Sequence, residues 1–291
     1  MSQPTSSADL SDTPRAPALP QFSPPYDWSA IDAAIADIGG VVLQGFVTPK
    51  ALNRLNQQVD NYLHSQYDPA PATGSSQYDK FLGLNTIRLH GVIEKAPDSA
   101  ALIGHPALLD WASRTVCATS VLLNAAEIIQ INPGEPAQFL HRDSDSWPAT
   151  FPEQPVIVNA IIAMDEFTVA NGATAIAPHS WRLAPDALPD AVTHAVMQAG
   201  DMVLFRGDTI HGGGANVSDQ PRRAFSISFC AGWLRPVENS YLNLSPATVK
   251  TLPAALQAVL GYAAYDGSSQ NTGMVGLYEN GDPQKFLAER D

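Results

Sequence analysis

The chain has 291 residues, 45% of them hydrophobic and 15% charged, with a formal net charge of −13. That apolar content supports a sizeable core, and so acidic a balance excludes non-specific attachment to nucleic acid or anionic membranes, which concentrated Lys and Arg drive. Two cysteines, Cys117 and Cys230, exclude a disulfide framework or a cysteine zinc site and point to a reduced, cytoplasmic setting; no apolar run approaches the roughly 20 residues that span a bilayer.

Residues 1–25 are rich in Ser, Thr, Pro and Ala, which predicts a flexible tail before a single domain over 26–291. After Trp28, apolar positions at Ile31, Ala34, Ile35 and Ile38 predict a helix stopped by Gly39-Gly40, and Val41-Val42-Leu43 a strand. Thr48 and Pro49 supply an N-cap and first-turn proline for a helix carrying Leu52, Leu55, Val59 and Leu63 at helical spacing. A third helix is expected over residues 106–123. From Ala125 onward, short β-rich runs at 127–131, 155–164, 202–205 and 224–230 are separated by Pro, Gly, Asn and Asp. The pattern predicts a mainly β fold with flanking helices. Its core is a double-stranded β-helix, of jelly-roll or cupin type, over about residues 125–235. An N-terminal helical layer supports the core, and an extension over 236–291, with a helix at 249–262, packs outside it.

In Gln138-Phe139-Leu140-His141-Arg142-Asp143 an imidazole and a carboxylate stand two residues apart, so strand geometry would aim both the same way. A third ligand must come from a distant strand, and Asp208-Thr209-Ile210-His211-Gly212-Gly213-Gly214 offers one. Two His and one carboxylate on one face leave three open positions, the pattern of non-haem Fe(II) oxygenases; a closed structural zinc site has none. Alone, His141-x-Asp143 is ordinary loop chemistry and His211 an ordinary turn histidine.

Arg222 opens the last core strand, and its planar guanidinium matches the distal carboxylate of 2-oxoglutarate. Alternation sends Arg223 to the opposite face. Without the triad, both read as solvated edge-strand charges. Thr174 could add a hydroxyl to the same carboxylate and Gln138 an amide to the keto-acid end; each alone is also an ordinary structural residue. Phe81, Asn85, Arg88, His90, Asn159 and Trp233 are candidate substrate contacts.

The chain resembles the phytanoyl-CoA dioxygenase family through Gln138-x-x-His141-x-Asp143, Asn171-Gly172-Ala173-Thr174 with Pro178, Gly200-Asp201-Met202-Val203-Leu204-Phe205, His211-Gly212-Gly213-Gly214 and Pro221-Arg222-Arg223-Ala224. The resemblance covers about residues 81–235. Within the family the chain is most similar to microbial natural-product oxygenases, through the His-Gly-Gly-Gly and Pro-Arg-Arg elements, Gly261-Tyr262 and residues 271–277. By position it implies Fe(II) at His141, Asp143 and His211, and 2-oxoglutarate at Gln138, Thr174 and Arg222. It also implies O2 as second co-substrate and oxidation of a C–H bond coupled to release of succinate and CO2. Hydroxylation is the default outcome, with desaturation, rearrangement or endoperoxidation as variants. Retention of Asp143 argues against halogenation, because chloride has no vacated position. Pro178-His179-Ser180-Trp181 departs from the family's Pro-Gly-Ser-His and puts the local turn in question. With only 16 Lys and Arg, the chain is poorly suited to a CoA ester, and a neutral hydrophobic metabolite is expected. A homodimer with its contact at residues 249–262 is a further expectation. The competing readings are a cupin-like metal- or ligand-binding protein without turnover, and an oxygenase acting on a protein side chain.

Overall fold

The structure is a computed structural model and describes residues 16–69, 73–147, 154–265 and 275–287. Strand β1 (Gln21–Phe22) leads to helix α1 (Trp28–Ile38), β2 (Gly40–Leu43) and helix α2 (Pro49–Ser65). Asp27 caps α1 by accepting from the Ser29 and Ala30 amides. The helix ends at Gly39, whose φ of 100° suits the left-handed turn that lets the chain double back into β2. Thr48 caps α2, and Leu52, Leu55 and Val59 form its buried stripe. Helix α3 (Ser76–Leu82), strand β3 (Thr86–Leu89) and helices α4 (Val92–Lys95), α5 (Ser99–Ile103) and α6 (Pro106–Thr115) complete the N-terminal layer.

The β-core then runs β4 (Val121–Ile131), β5 (Ile157–Ala163), β6 (Ala175–Ile176), β7 (Thr193–His194), β8 (Met202–Arg206), β9 (His211–Gly212) and β10 (Arg222–Ala231). Seven strands form one sheet in the order β1-β2-β8-β5-β10-β4-β3, and β7-β6-β9 form a second. This is the expected mainly β core with a helical layer. Alternation divides the large sheet: Phe225, Ile227 and Phe229 of β10, with Val158, Ala160 and Ile162 of β5, join Ile31, Leu55, Val59 and Trp111 of the helices in one core. Truncating either phenylalanine to Ala would cost about 3–5 kcal/mol. The intervening residues Ala224, Ser226, Ser228, Asn159 and Ile161 face a cavity.

Three expectations are corrected. Residues 1–15 of the expected tail lie outside the described residues, but 16–25 are tied down: β1 pairs in parallel with β2, Leu19 is buried, and the Ala16 amide donates to the Val192 carbonyl. Two large apolar side chains, Leu19 and Phe22, supply the burial that composition averaged away. The third helix stops at Thr115, because Cys117 takes a positive φ of 49° and Val121 onward is drawn into pairing with β10. The expected helix at 249–262 breaks into α7-following segments α8 (Pro246–Thr251) and α9 (Ala254–Gln257) plus a last turn, α7 being Ser240–Asn243. Pro253 and the left-handed Gly261 interrupt it. Its apolar residues Val249, Leu256, Val259 and Leu260 pack inward, which takes them from the expected dimer contact.

Candidate active site

The two histidines meet through main chain. His141 and His211 form an isolated antiparallel bridge, each amide donating to the other's carbonyl at 2.9 Å. On the far side of β9, Ile176 pairs with His211, so the imidazole is held on a three-residue-wide ribbon. Asp143 is not on a strand as expected; it opens a 3₁₀ turn, Asp143–Ser146, that carries its carboxylate between the rings. Arg142 anchors that turn by donating to the carbonyls of Ser180, Leu183, Ala184 and Pro185. Sequence reading gave Arg142 no role, since a long charged side chain in a loop ordinarily points to solvent.

His141 Nδ1 lies 3.1 Å from the Phe139 carbonyl and His211 Nδ1 3.0 Å from that of Thr209. A carbonyl only accepts, so each Nδ1 carries a proton, and Nε2 is the ring atom left to face a metal. Those Nε2 atoms lie 3.4 and 3.6 Å from Asp143 Oδ1 and Oδ2. The three ligand atoms all fall within 4.8 Å of one another. Asn159 Nδ2 donates to Asp143 Oδ2 at 2.9 Å. Burial pushes the Asp143 carboxyl up, but His211, His141 and the Asn159 amide outweigh it and hold it below the usual range. Burial pushes His211 down to about 4 against the pull of Asp143, so its ring is neutral at physiological pH. A carboxylate and two imidazoles whose Nε2 atoms converge on it fit a divalent transition metal.

The triad lies on a cavity of about 850 Å³. Arg222 and Thr174, both buried, line it. The Arg222 guanidinium stacks 4.2 Å over Phe167, and Nη2 donates to the Gly172 carbonyl. Its Nε is buried with no hydrogen-bond partner. Burial pulls Arg222 down to about 10, with Asp165 opposing. An incompletely satisfied buried cation beside a cavity is suited to an anionic ligand. Arg223 points the other way, to Asp60 (2.8 Å), Asn56 (3.0 Å) and Gln130, as alternation required.

The remaining candidates divide. Gln138 lines the cavity, but its amide is spanned between the Phe81 carbonyl (3.0 Å) and the Gly213 amide (3.1 Å). Phe81 packs edge-on against the His141 ring at 4.8 Å. Arg88 and His90 line the cavity within an ion-pair cluster with Glu127 and Glu238. Asn85 and Trp233 are not among the residues that line the cavity. Asn85 turns outward, donating to the Pro133 carbonyl, because Glu135 takes the amides of Leu84 and Asn85 and fixes the loop's direction. Trp233 stands beyond the end of β10, outside the cavity and 43% exposed. The turn at His179 persists without glycine: the histidine itself adopts φ 59° and its Nδ1 donates to the Asp37 carbonyl at 2.8 Å. Of residues 271–277, only 275–277 are described.

Residues 36–224 match the family described as phytanoyl-CoA dioxygenase (PhyH). The chain is 34% identical over 258 residues to dioxygenase FrzG of Cladobotryum sp., covering 80% of this chain and 84% of that protein. It is 32% identical over 242 residues to dioxygenase FUM3 of Gibberella moniliformis, covering 77% and 79%. Its fold is shared with the epimerase SnoN, solved with Fe3+, alpha-ketoglutarate and nogalamycin RO (TM-score 0.59, 17% identity, 76% of this chain and 92% of that one). It is shared equally with the carbocyclase SnoK from nogalamycin biosynthesis (TM-score 0.60, 18% identity, 78% and 94%). The chain belongs to the phytanoyl-CoA dioxygenase (PhyH) family.

Proposed function

We propose that this chain is an Fe(II)- and 2-oxoglutarate-dependent dioxygenase that oxidises a C–H bond of a hydrophobic small molecule, with His141, Asp143 and His211 as metal ligands. The observation that carries the reading is the pair of Nδ1-anchored imidazoles converging with Asp143, beside a buried Arg222 with an unpartnered Nε. Bound iron supplies the oxidising chemistry by which 2-oxoglutarate and O2 become succinate and CO2 while substrate is oxidised. Arg222 holds the distal carboxylate of 2-oxoglutarate, and Thr174, a buried residue lining the same cavity, adds a hydroxyl donor. The Gln138 amide holds Phe81 over His141 and shields that side of the centre from water.

The cavity's size supports a small-molecule substrate over a protein side chain, for which an open groove would be needed. A natural-product substrate is supported by the likeness to SnoN and SnoK, both of nogalamycin biosynthesis. No helix among the described residues is long and apolar enough to cross a membrane; a cytoplasmic setting belongs to the same proposal. So does a homodimer, supported by the exposed Val237, Tyr241 and Leu242, and light scattering reporting a monomer would remove it.

The test is anaerobic addition of Fe(II) and 2-oxoglutarate to metal-free protein, read by the weak visible band of a chelated Fe(II)–keto-acid complex. The band is expected in the natural protein, absent in His211→Ala and weakened in Arg222→Ala. Folded, iron-loaded protein without the band would leave a cupin-like binding protein as the better reading.

A further inference from the structure

The cavity has two chemically different ends. Along β10 its cavity-facing residues run Arg222, Ala224, Ser226 and Ser228. Ser226 is paired across the sheet with Glu127, and Ser228 with Asn159, which holds Asp143. Ser226 therefore stands four residues from Arg222, on the order of 13 Å at the rise of a strand. It lies beyond the reach of a 2-oxoglutarate seated on that arginine.

At this second end the charges are internally matched. Arg88 Nη1 donates to both Glu127 oxygens at 2.8 Å, and Nε to the Leu82 carbonyl. His90 lies between two carboxylates, with Nδ1 3.1 Å from Glu238 and Nε2 3.7 Å from Glu127. The Glu238 hydrogen bond outweighs partial burial and raises the His90 pKa, favouring the imidazolium. Among the groups that line this end, two cations thus face two carboxylates; the Lys95 ammonium, which donates to the His90 carbonyl, does not line the cavity. The hydrogen bonds are not matched. Arg88 Nη2 makes none among the described residues, and neither does the Ser226 hydroxyl, although both residues line the cavity.

We propose that this end of the cavity is a recognition subsite for an alcohol group of the substrate, formed by Arg88, Glu127 and Ser226 and braced by His90 and Glu238. The inference rests on the reading of the cavity as an oxygenase active site. An alcohol oxygen accepts from Arg88 Nη2 while its proton goes to a free lone pair of Glu127 or Ser226. A carboxylate would face Glu127 and Glu238, and an ammonium would face Arg88 and His90, each adding an unmatched charge to a cluster that already balances. An alkyl group would leave the arginine and serine donors without partners in a low-dielectric space.

Crystals of the protein loaded with Mn(II) and 2-oxoglutarate would be soaked at equal concentration with cyclohexanol, cyclohexylamine or cyclohexanecarboxylate, and cyclohexanol titrated calorimetrically into the natural protein and Ser226→Ala. The expected result is the cyclohexanol oxygen within hydrogen-bond distance of Arg88 Nη2, the two charged probes absent from that end, and binding to Ser226→Ala roughly two- to tenfold weaker. With Mn(II) and 2-oxoglutarate in place, cyclohexanol missing from this end or lying there ring-first, or either charged probe taking its position, would overturn the proposal. Crystals in which neither Mn(II) nor 2-oxoglutarate binds would remove the proposed function, and this subsite with it.

Discussion

The Asn159 amide donates to Oδ2 of Asp143 at 2.9 Å, leaving Oδ1 as the less engaged oxygen, 3.4 Å from His141 Nε2. A carboxylate held this way has one oxygen, Oδ2, shared between the Asn159 amide and the His211 ring, and the other turned to His141 alone. Partners of metal ligands typically change affinity by 10–100-fold when removed. Asn159→Ala is therefore expected to weaken Mn(II) binding by about that factor, as read by electron paramagnetic resonance titration. An unchanged affinity would show the contact to be incidental.

Arg222 and Arg223 are neighbours with opposite duties, and their alanine variants should separate. Arg222→Ala removes the charge-assisted partner proposed for 2-oxoglutarate, and co-substrate affinity should fall by roughly 10- to 100-fold, matching about 1.5–3 kcal/mol for such a bond. Arg223→Ala removes contacts to Asp60, Asn56 and Gln130, tying β10 to α2 and β4. It should lower the melting temperature with 2-oxoglutarate affinity retained. Calorimetry of both variants decides; equal losses of affinity would refute the division.

Gly172 has a φ of 88°, and a Cβ there would stand 2.6 Å from the Gly214 carbonyl oxygen. Its own carbonyl accepts from Arg222 Nη2. Gly172→Ala is expected to cost about 1–3 kcal/mol of stability through backbone strain and to weaken 2-oxoglutarate binding by shifting Arg222. Thermal melts with and without the co-substrate check both parts, and a variant as stable as the parent would contradict the strain.

Asp165 is pushed up to about 6 by burial, against the Arg223 amide and the charges of Arg222 and Arg223. Its Oδ1 is buried without a hydrogen bond. A carboxyl whose folded pKa exceeds its unfolded value favours folding in the protonated form. That stability is present below about 4 and lost as the pH rises through about 6. Asp165→Asn keeps an acceptor for the Arg223 amide and should flatten the melting temperature across that window. A slope identical to the parent's would assign the pH dependence elsewhere.

Much of the site could be read from residue order because its chemistry is carried by residue types that strands display regularly. His141, His211 and Arg222 sit where alternation and the glycine-flanked turn put them. What could not be read depends on three-dimensional neighbours. Nothing near Asn159 in the chain marks it as the partner of Asp143, sixteen positions away on another element. Asn85 faces outward because Glu135, fifty residues on, captures its amide. Helix α6 ended early since β10, a distant strand, claims Val121 to Leu123. The N-terminal pairing of β1 was hidden because two apolar residues in a proline- and serine-rich stretch are below what composition can register.

The reciprocal amide–carbonyl pair between His141 and His211 means that the two imidazoles are juxtaposed by backbone, before any ligand contributes energy. Much of the ordering entropy of the centre has been spent in folding, so metal capture is preorganised and requires little rearrangement of the chain. Exchange of one divalent ion for another should proceed within a fixed scaffold. Selection between metals then falls to ligand type and geometry rather than to any difference in how far the protein must move to close around them.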